Sequence, residues 1–480
     1  TSAIYEKKYS ASTDAIFAQK YGAYYKADAS TRQLYGDVML NIDKYFGDFS
    51  LTGTVGVSIQ DLDYQYYSVG GDLNSVANSF TLKNLNQSNA EFDQDGYHDQ
   101  TQSIFATAQL GWQSKLYLDV TGRIDWSSAL AWTETKSVAY PSVGLSAILT
   151  DLLPIRSDVL TFLKLRGSYS EVGNAPTRYI AYQTHPYQSG TPSTTSTYPN
   201  SDIKPERTKA WEVGLQSRFW GDKLALNVSL YKTSTFNQLF NPSLPSSSGY
   251  SSIYINGGQV DNKGIEASLS LNQALGPVEW NSTLTYTINR NKIKKLLKPT
   301  TLKDGLLVEQ DMLDLDGVGN VKTRLFEGGS VGDLYVTALR TDEHGYIDVD
   351  YVNNTVSVDG NAGERGDGWI YAGNSQAKYT MGWRNSFSWN GLTLGFLINA
   401  RVGGVCVSMT QALMDSYGTS KATADARDAG GVMINGYLVP AAQKYYQTVG
   451  TGAGSMYVVS RNFLWDMMFL SQNLYLGSKA

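Results

Sequence analysis

The most restrictive feature of the sequence is the two-residue alternation between Asp202 and Tyr231. Trp211, Val213 and Leu215 alternate with Glu212, Gly214 and Gln216; Trp220-Gly221-Asp222-Lys223 turns the chain; Leu224, Leu226, Val228 and Leu230 then alternate with Ala225, Asn227 and Ser229. Successive side chains of a strand point to opposite faces, so the stretch is a β-hairpin with one oily and one polar face. The oily face runs over both arms and the polar face carries Glu212, Arg218 and Asn227. That is the pattern of a wall between lipid and a wet lumen.

The same pattern recurs along the chain. Gln33–Lys44 and Phe49–Gln60 form a hairpin about Phe46-Gly47-Asp48, and Ser103–Trp112 pairs with Lys115–Trp126. Tyr140–Leu149 pairs with Phe162–Glu171, Gly264–Asn272 with Trp280–Asn289, and Tyr379–Trp389 with Leu392–Arg401 about Asn390-Gly391, a type I′ turn signal. A last strand is expected over Phe463–Tyr475, which brings the recognisable strands to roughly 13. Turns within pairs are mostly short. Gly70–Gln100, Gly173–Ile203, Phe236–Asn262 and Asn291–Lys378 read as long polar loops, and the first thirty residues are less regular. Short turns at one end and long loops at the other predict an all-β, antiparallel transmembrane barrel of outer-membrane type, turns periplasmic and loops extracellular. Trp112, Trp126, Trp220, Trp280, Trp383 and Trp389 fall at or near strand ends, where they suit interfacial girdles.

Composition supports this reading. Charged residues make up only 17% of the chain, and there are 33 Tyr and 10 Trp. No window reaches the roughly 18 apolar residues of a spanning helix, so a membrane crossing would be made by strands. A net charge of −5 argues against nucleic acid as a partner. The Lys-rich run Lys292–Lys298 reads as a solvated loop just past a strand end. The single Cys406 excludes an internal disulfide framework and reads as a small buried or lipid-facing residue.

Longer motifs resemble the distal barrel half of the SusC/RagA family of TonB-dependent outer-membrane transporters. They include YLDVTGRIDWSS at Tyr117–Ser128, LKLRGSYSEVGN at Leu163–Asn174, IKPERTKAWEVG at Ile203–Gly214, NGGQVDNKGIE at Asn256–Glu266, Gly332–Asp348 and Gly373–Arg401. The resemblance implies a barrel of about 22 strands in the full protein, of which residues 1–480 are a partial barrel domain with the plug and N-terminal accessory domains absent. It implies an active importer of oligomeric nutrients, oligosaccharide or oligopeptide, in the bacterial outer membrane. The partners it implies are outer-membrane lipid, a SusD-like lipoprotein, the TonB complex through the absent plug segment, and a dimer of transporter–lipoprotein pairs. A passive porin or a structural or adhesion barrel is the alternative.

Asp119, Arg123, Asp125, Lys164, Arg166, Glu212, Arg218, Arg384 and Arg401 alternate with apolar residues and are expected to face the lumen and a plug. Tyr182, Tyr187, Tyr250 and Tyr254 lie in long loops and are candidates to stack on substrate. No catalytic set is expected. His98, His185 and His344 are placed in loops without metal-site spacing, and a hydrolase would need a strand-borne His. No cofactor is expected. Asp311–Asn320 faintly resembles a calcium loop, but Met312, Leu313 and Leu315 break the ligand spacing. Arg365-Gly366-Asp367 reads as a turn in a Gly-rich loop.

Overall fold

The computed structural model describes residues 1–12, 20–155, 157–188, 190–244, 246–297, 300–301, 305, 307–308, 311–315, 317–440, 442–460 and the backbone of 464–469. One antiparallel sheet of 14 strands, each paired with its neighbours along the chain, dominates the fold. Its strands are β1 (Ser2–Tyr9), β2 (Ala23–Phe46), β3 (Phe49–Asp72), β4 (Glu91–Trp112), β5 (Leu116–Ser127), β6 (Val138–Ile148) and β7 (Leu160–Asn174). They continue as β8 (Glu206–Phe219), β9 (Leu224–Phe240), β10 (Ile255–Leu275), β11 (Val278–Lys295), β12 (Tyr379–Trp389), β13 (Leu392–Val402) and β14 (Leu464–Phe469). Among the described residues, β1 and β14 are not paired with each other. No described helix is long and apolar enough to cross a membrane.

The strands carry the alternation in register. Leu118 lies opposite Leu145, Leu145 opposite Gly167, Gly167 opposite Val213, Val213 opposite Leu230, Leu230 opposite Ile265 and Ile265 opposite Ile288. This row makes an oily outer face. One residue along, Asp119, Gly144, Ser168, Glu212, Tyr231, Gly264 and Asn289 make a polar inner row. Outer-face side chains are strongly exposed, Val38 at 72% and Leu40 at 66%, an arrangement suited to lipid and unsuited to water. The buried cores lie elsewhere, in the segments at the long-loop end.

Local chemistry sets the turns. Asn390 and Gly391 both have positive φ, 44° and 87°, as a type I′ turn requires. Gly264 is mid-strand rather than at a strand entry. A Cβ there would meet the Tyr231 ring and the Ile288 carbonyl, so the glycine lets the Tyr231 ring lie flat across the inner face.

Several sequence expectations are corrected. The first thirty residues supply β1 and the start of β2. The loop expected over Gly70–Gln100 shrinks to 73–90, because β3 and β4 run 24 and 22 residues, well past the roughly 9–11 that cross a bilayer. The loop expected over Phe236–Asn262 likewise shrinks to 241–254, and Lys292–Lys295 belong to β11; Lys298 is outside the described residues. Beyond the membrane both strand faces meet water, so the oily half of the alternation fades and the strands become invisible to a periodicity argument. Of the strand expected over Phe463–Tyr475, Leu464–Phe469 forms β14 and the rest lies outside the described residues. Trp383 sits inside β12 rather than near its end.

Two loops fold into compact segments that share a core, Leu339 and Val356 of the first packing with the helices of the second. The segment between β11 and β12 contains a four-stranded sheet of Met312–Asp314, Val321–Phe326, Asp333–Val336 and Ile370–Asn374. After β13 come helices α1 (Met409–Ser416), α2 (Lys421–Asp428) and α3 (Ala442–Gly452). Ser408 caps α1 by accepting from the Gln411 N–H and Ser420 caps α2 by accepting from the Thr423 N–H. Ser408 followed by Gln411 is a capping-box spacing, a signal from which sequence reading could have found this body. Its core joins Ala412, Ile434, Val439, Tyr445, Val449 and Tyr457. There the Tyr457 hydroxyl donates to Asp415 Oδ2 at 2.9 Å; burial first, and then this bond, push the phenol well above its usual range. Cys406 lies half-buried in the short strand Val405–Val407 of this end, outside the wall.

Candidate functional site

The pairing registers put Asp119, Arg123, Asp125, Lys164, Arg166, Glu212, Arg218, Arg384 and Arg401 on one face of the sheet, opposite the oily row. They form local pairs rather than one cluster. Gln109 Nε2 donates to Asp119 Oδ1 at 2.6 Å, and Arg123 donates to Asp125 Oδ1 at 2.6 Å and to Ser103 Oγ at 2.7 Å. Arg166 bridges Glu212 at 2.9 Å and Ser229 at 2.7 Å across three strands. Arg218 lies over the Phe162 ring, 5.0 Å from its centroid. Arg401 donates to the Ser375 carbonyl at 3.1 Å. Among the described residues Arg384 has no carboxylate partner, and its side chain is exposed.

The four candidate tyrosines are dispersed. Tyr182 stacks on Trp132 with centroids 4.7 Å apart, both rings exposed. Tyr187 lines a separate open cleft of about 1250 Å³ beside Tyr64, Tyr67 and Tyr97. Tyr250 packs edge-on to Tyr198 at 5.1 Å against a buried core, so it is a structural residue. Tyr254 is half-buried, and its carbonyl accepts from Asn200 Nδ2 at 2.9 Å. His98 lies in β4, not in a loop, with Nε2 2.8 Å from Asp61 Oδ2; the premise that no strand carries a histidine is therefore wrong. This lone contact is exposed.

A further cavity is one that sequence reasoning missed. It is about 580 Å³, lies on the four-stranded sheet of the long loop, and is walled by Phe326, Tyr335, Trp369 and Tyr371 with Arg324, Arg365, Glu327, Glu364 and Asp333 among its polar groups. Strand alternation puts Lys322, Arg324 and Phe326 on one face, and pairing sets Tyr335 opposite Lys322 and Tyr371 opposite Tyr335. Arg324 is the keystone, its side chain only 4% exposed. Its Nε lies 2.9 Å from Asp314 Oδ1, outside hydrogen-bond alignment, and its Nη1 lies 2.7 Å from Asp367 Oδ2. The Tyr335 and Trp369 rings lie 5.5 and 5.6 Å from the guanidinium.

Around it, Lys322 pairs with Asp314 and covers Trp369 at 3.9 Å, while Arg365 donates to Asp311 at 3.0 Å and covers Phe326 at 5.3 Å. Asp311 and Asp314 of the faint calcium-like stretch are thus turned toward Lys and Arg side chains, and of the Arg-Gly-Asp turn Arg365 lines the cavity while Asp367 holds Arg324. Burial pushes the Asp367 carboxyl up, but the hydrogen bond and charge of Arg324 outweigh it and hold the group below the usual carboxylate range. Asp333 accepts from Asn374 Nδ2 at 2.9 Å, the Tyr371 hydroxyl at 3.3 Å and the Ser330 N–H at 2.8 Å. Flat rings framed by fixed hydrogen-bonding charges can stack on an apolar ligand face while binding its polar edge.

A lipid-and-lumen meander with short turns at one end and folded loop bodies at the other now has a counterpart among known families. The profile of the TonB dependent receptor-like β-barrel matches residues 2–396. The chain belongs to this family. TonB-dependent receptor P3 of Formosa agariphila is 26% identical over 421 residues, covering 81% of this chain and 40% of that protein. TonB-dependent receptor P26 of the same organism is 25% identical over 375 residues, covering 72% and 36%. The chain therefore spans about two-fifths of the length of these curated relatives. Among solved structures, the RagAB peptide transporter superposes with TM-score 0.60 at 19% identity over 84% of this chain and 44% of that one. The RagAB peptide importer in its closed-closed state gives 0.63 at 17% identity over 93% and 49%. This likeness supports the barrel fold. TonB-dependent receptors are outer-membrane transporters, in keeping with the 14-stranded wall.

Proposed function

We propose that this chain forms the wall and the loop-end recognition bodies of a TonB-dependent importer of oligomeric nutrients, glycan or peptide, working with a SusD-like surface lipoprotein. The observation that carries the reading is the ring-walled cavity on the four-stranded sheet, set at the long-loop end of a wall whose inner face is polar. In this reading a ligand is held at the loop end and passes along the lumen, where Arg166, Glu212, Arg384 and their neighbours hydrogen-bond a plug. Likeness to a peptide importer favours a peptide, while stacked exposed rings such as Trp132 and Tyr182 suit sugars equally well.

The test is isolation of the full-length protein from the native outer membrane, with mass spectrometry of the co-purifying lipoprotein and bound oligomer, followed by uptake of that oligomer with and without TonB. Import that stops without TonB is expected. Import unchanged without TonB would make the protein a passive porin.

A further inference from the structure

The outer face of the wall carries a charge pattern that import does not use. Lys232 on β9 lies directly opposite Lys263 on β10, which lies directly opposite Arg290 on β11. Residues opposed in this way have Cβ atoms about 5 Å apart, and like charges so placed repel. All three side chains are exposed. Lys292 follows Arg290 on the same face of β11, and Lys209 and Arg207 continue the outward cations on β8.

The outward carboxylates of β7 to β11 are Glu171 and Asp261. Glu171 is occupied by Arg207 at 2.7 Å and by Lys209 and Tyr169; Asp261 reaches Lys232 only at 3.9 Å and accepts from Gln259 at 2.9 Å. Arg290 donates to the carbonyls of Asn289 and Lys378, and Lys263 has no ion-pair partner among the described residues. The face is therefore strongly cationic in a chain whose net charge is −5.

Its height on the wall bears on which anion it suits. The row below the three cations is Leu230, Ile265 and Ile288, which face lipid. In the cations' own row Trp211 lies opposite Lys232 and next to Tyr169, the two rings 4.4 Å apart, and Tyr286 packs on Tyr379 nearby. Aromatic residues at the end of an apolar band mark the headgroup level, where lipid phosphates lie. An arginine and a lysine with no carboxylate partner among the described residues, beside a lysine held only loosely by Asp261, match a phosphate group at that height in charge and hydrogen-bond donors.

We propose that the outer surface of β9–β11 binds the phosphate of an anionic membrane lipid through Lys232, Lys263 and Arg290. The inference rests on the outer-membrane placement of the chain and is independent of import, so lipid retention and uptake succeed or fail separately.

The test uses full-length protein in nanodiscs of phosphatidylcholine alone, or doped with phosphatidylglycerol or with a diphosphorylated lipid A, and measures the lipids retained after detergent extraction. The wild type should retain an anionic lipid about tenfold over the zwitterionic phosphatidylcholine, and Lys232→Gln/Lys263→Gln/Arg290→Gln should lose that preference. Which doped lipid is enriched distinguishes a phospholipid from a glycolipid source. Lys263→Gln alone, which deletes one exposed charge, should weaken retention about threefold and serves if the triple variant does not fold. A Lys44→Gln/Lys115→Gln/Lys223→Gln variant at the turn end should retain lipid as the wild type does. Unchanged retention in the triple or single variant would overturn the proposal, as would complete displacement of the lipid by about 10 mM inorganic phosphate, which would make this a site for free anions only.

Discussion

Replacing Arg324 with methionine should loosen the long-loop sheet while leaving the barrel wall intact. The guanidinium is almost wholly buried and holds Asp314 and Asp367 together between two rings. Removing one partner of a fully buried pair costs about 3–5 kcal/mol, because the remaining charge is trapped. Here the abandoned carboxylates keep 37% and 31% of their side-chain surface in water, so they can rehydrate. The cost is accordingly set lower, at about 2–3 kcal/mol. Hydrogen exchange followed by mass spectrometry on the detergent-solubilised protein would read this as about 30- to 150-fold faster exchange in Val321–Phe326 and Asp333–Val336. Peptides of β2 and β3 should be unchanged. Exchange in the loop strands within about twofold of wild type would refute the keystone role, and equal acceleration in the wall would refute the independence of the two bodies.

The same cluster sets a pH dependence. The folded Asp367 carboxyl is held below its unfolded value, so its contribution is complete above about pH 4 and is lost as pH falls through the lower folded value. Loop-strand protection should drop on acidification in the wild type, and Arg324→Met should flatten that dependence; a profile unaffected by the substitution would count against it. Gly264→Ala should destabilise the wall by about 1–3 kcal/mol, since the Ile288 carbonyl cannot move aside for the new methyl, and should lower the temperature of heat-modified gel migration. An unshifted transition would show that the wall relaxes there. Trp369→Ala should reduce retention of the bound oligomer with the wall transition unchanged, whereas Tyr250→Ala should loosen the 241–254 loop in exchange experiments because its ring packs on a buried core. The reverse pattern would exchange their roles.

The wall was legible in the sequence because its two constraints are short-range. A residue's face is fixed by odd or even position, and a tight turn is fixed by residues such as Asn390 and Gly391 that accept positive φ. Hence the hairpin of Trp211 and Leu230, the shared face of the charges from Asp119 to Arg401 and the short-turn end could all be placed from local pattern. The strand extensions of β3 and β4 escaped because alternation disappears where both faces meet water. The helical body after β13 escaped although Ser408 and Gln411 offered a capping signal.

Only the tertiary structure joined Arg324 to Asp367, Tyr335 and Trp369, or separated Tyr250 from Tyr187. Lys232, Lys263 and Arg290 likewise became neighbours only through strand register. The Asp202–Tyr231 stretch by itself determined a wall with a wet and an oily side, since side-chain alternation is a property of a few consecutive residues. What that wall holds depends on contacts between distant segments, and the polarity of a single residue does not specify its partner.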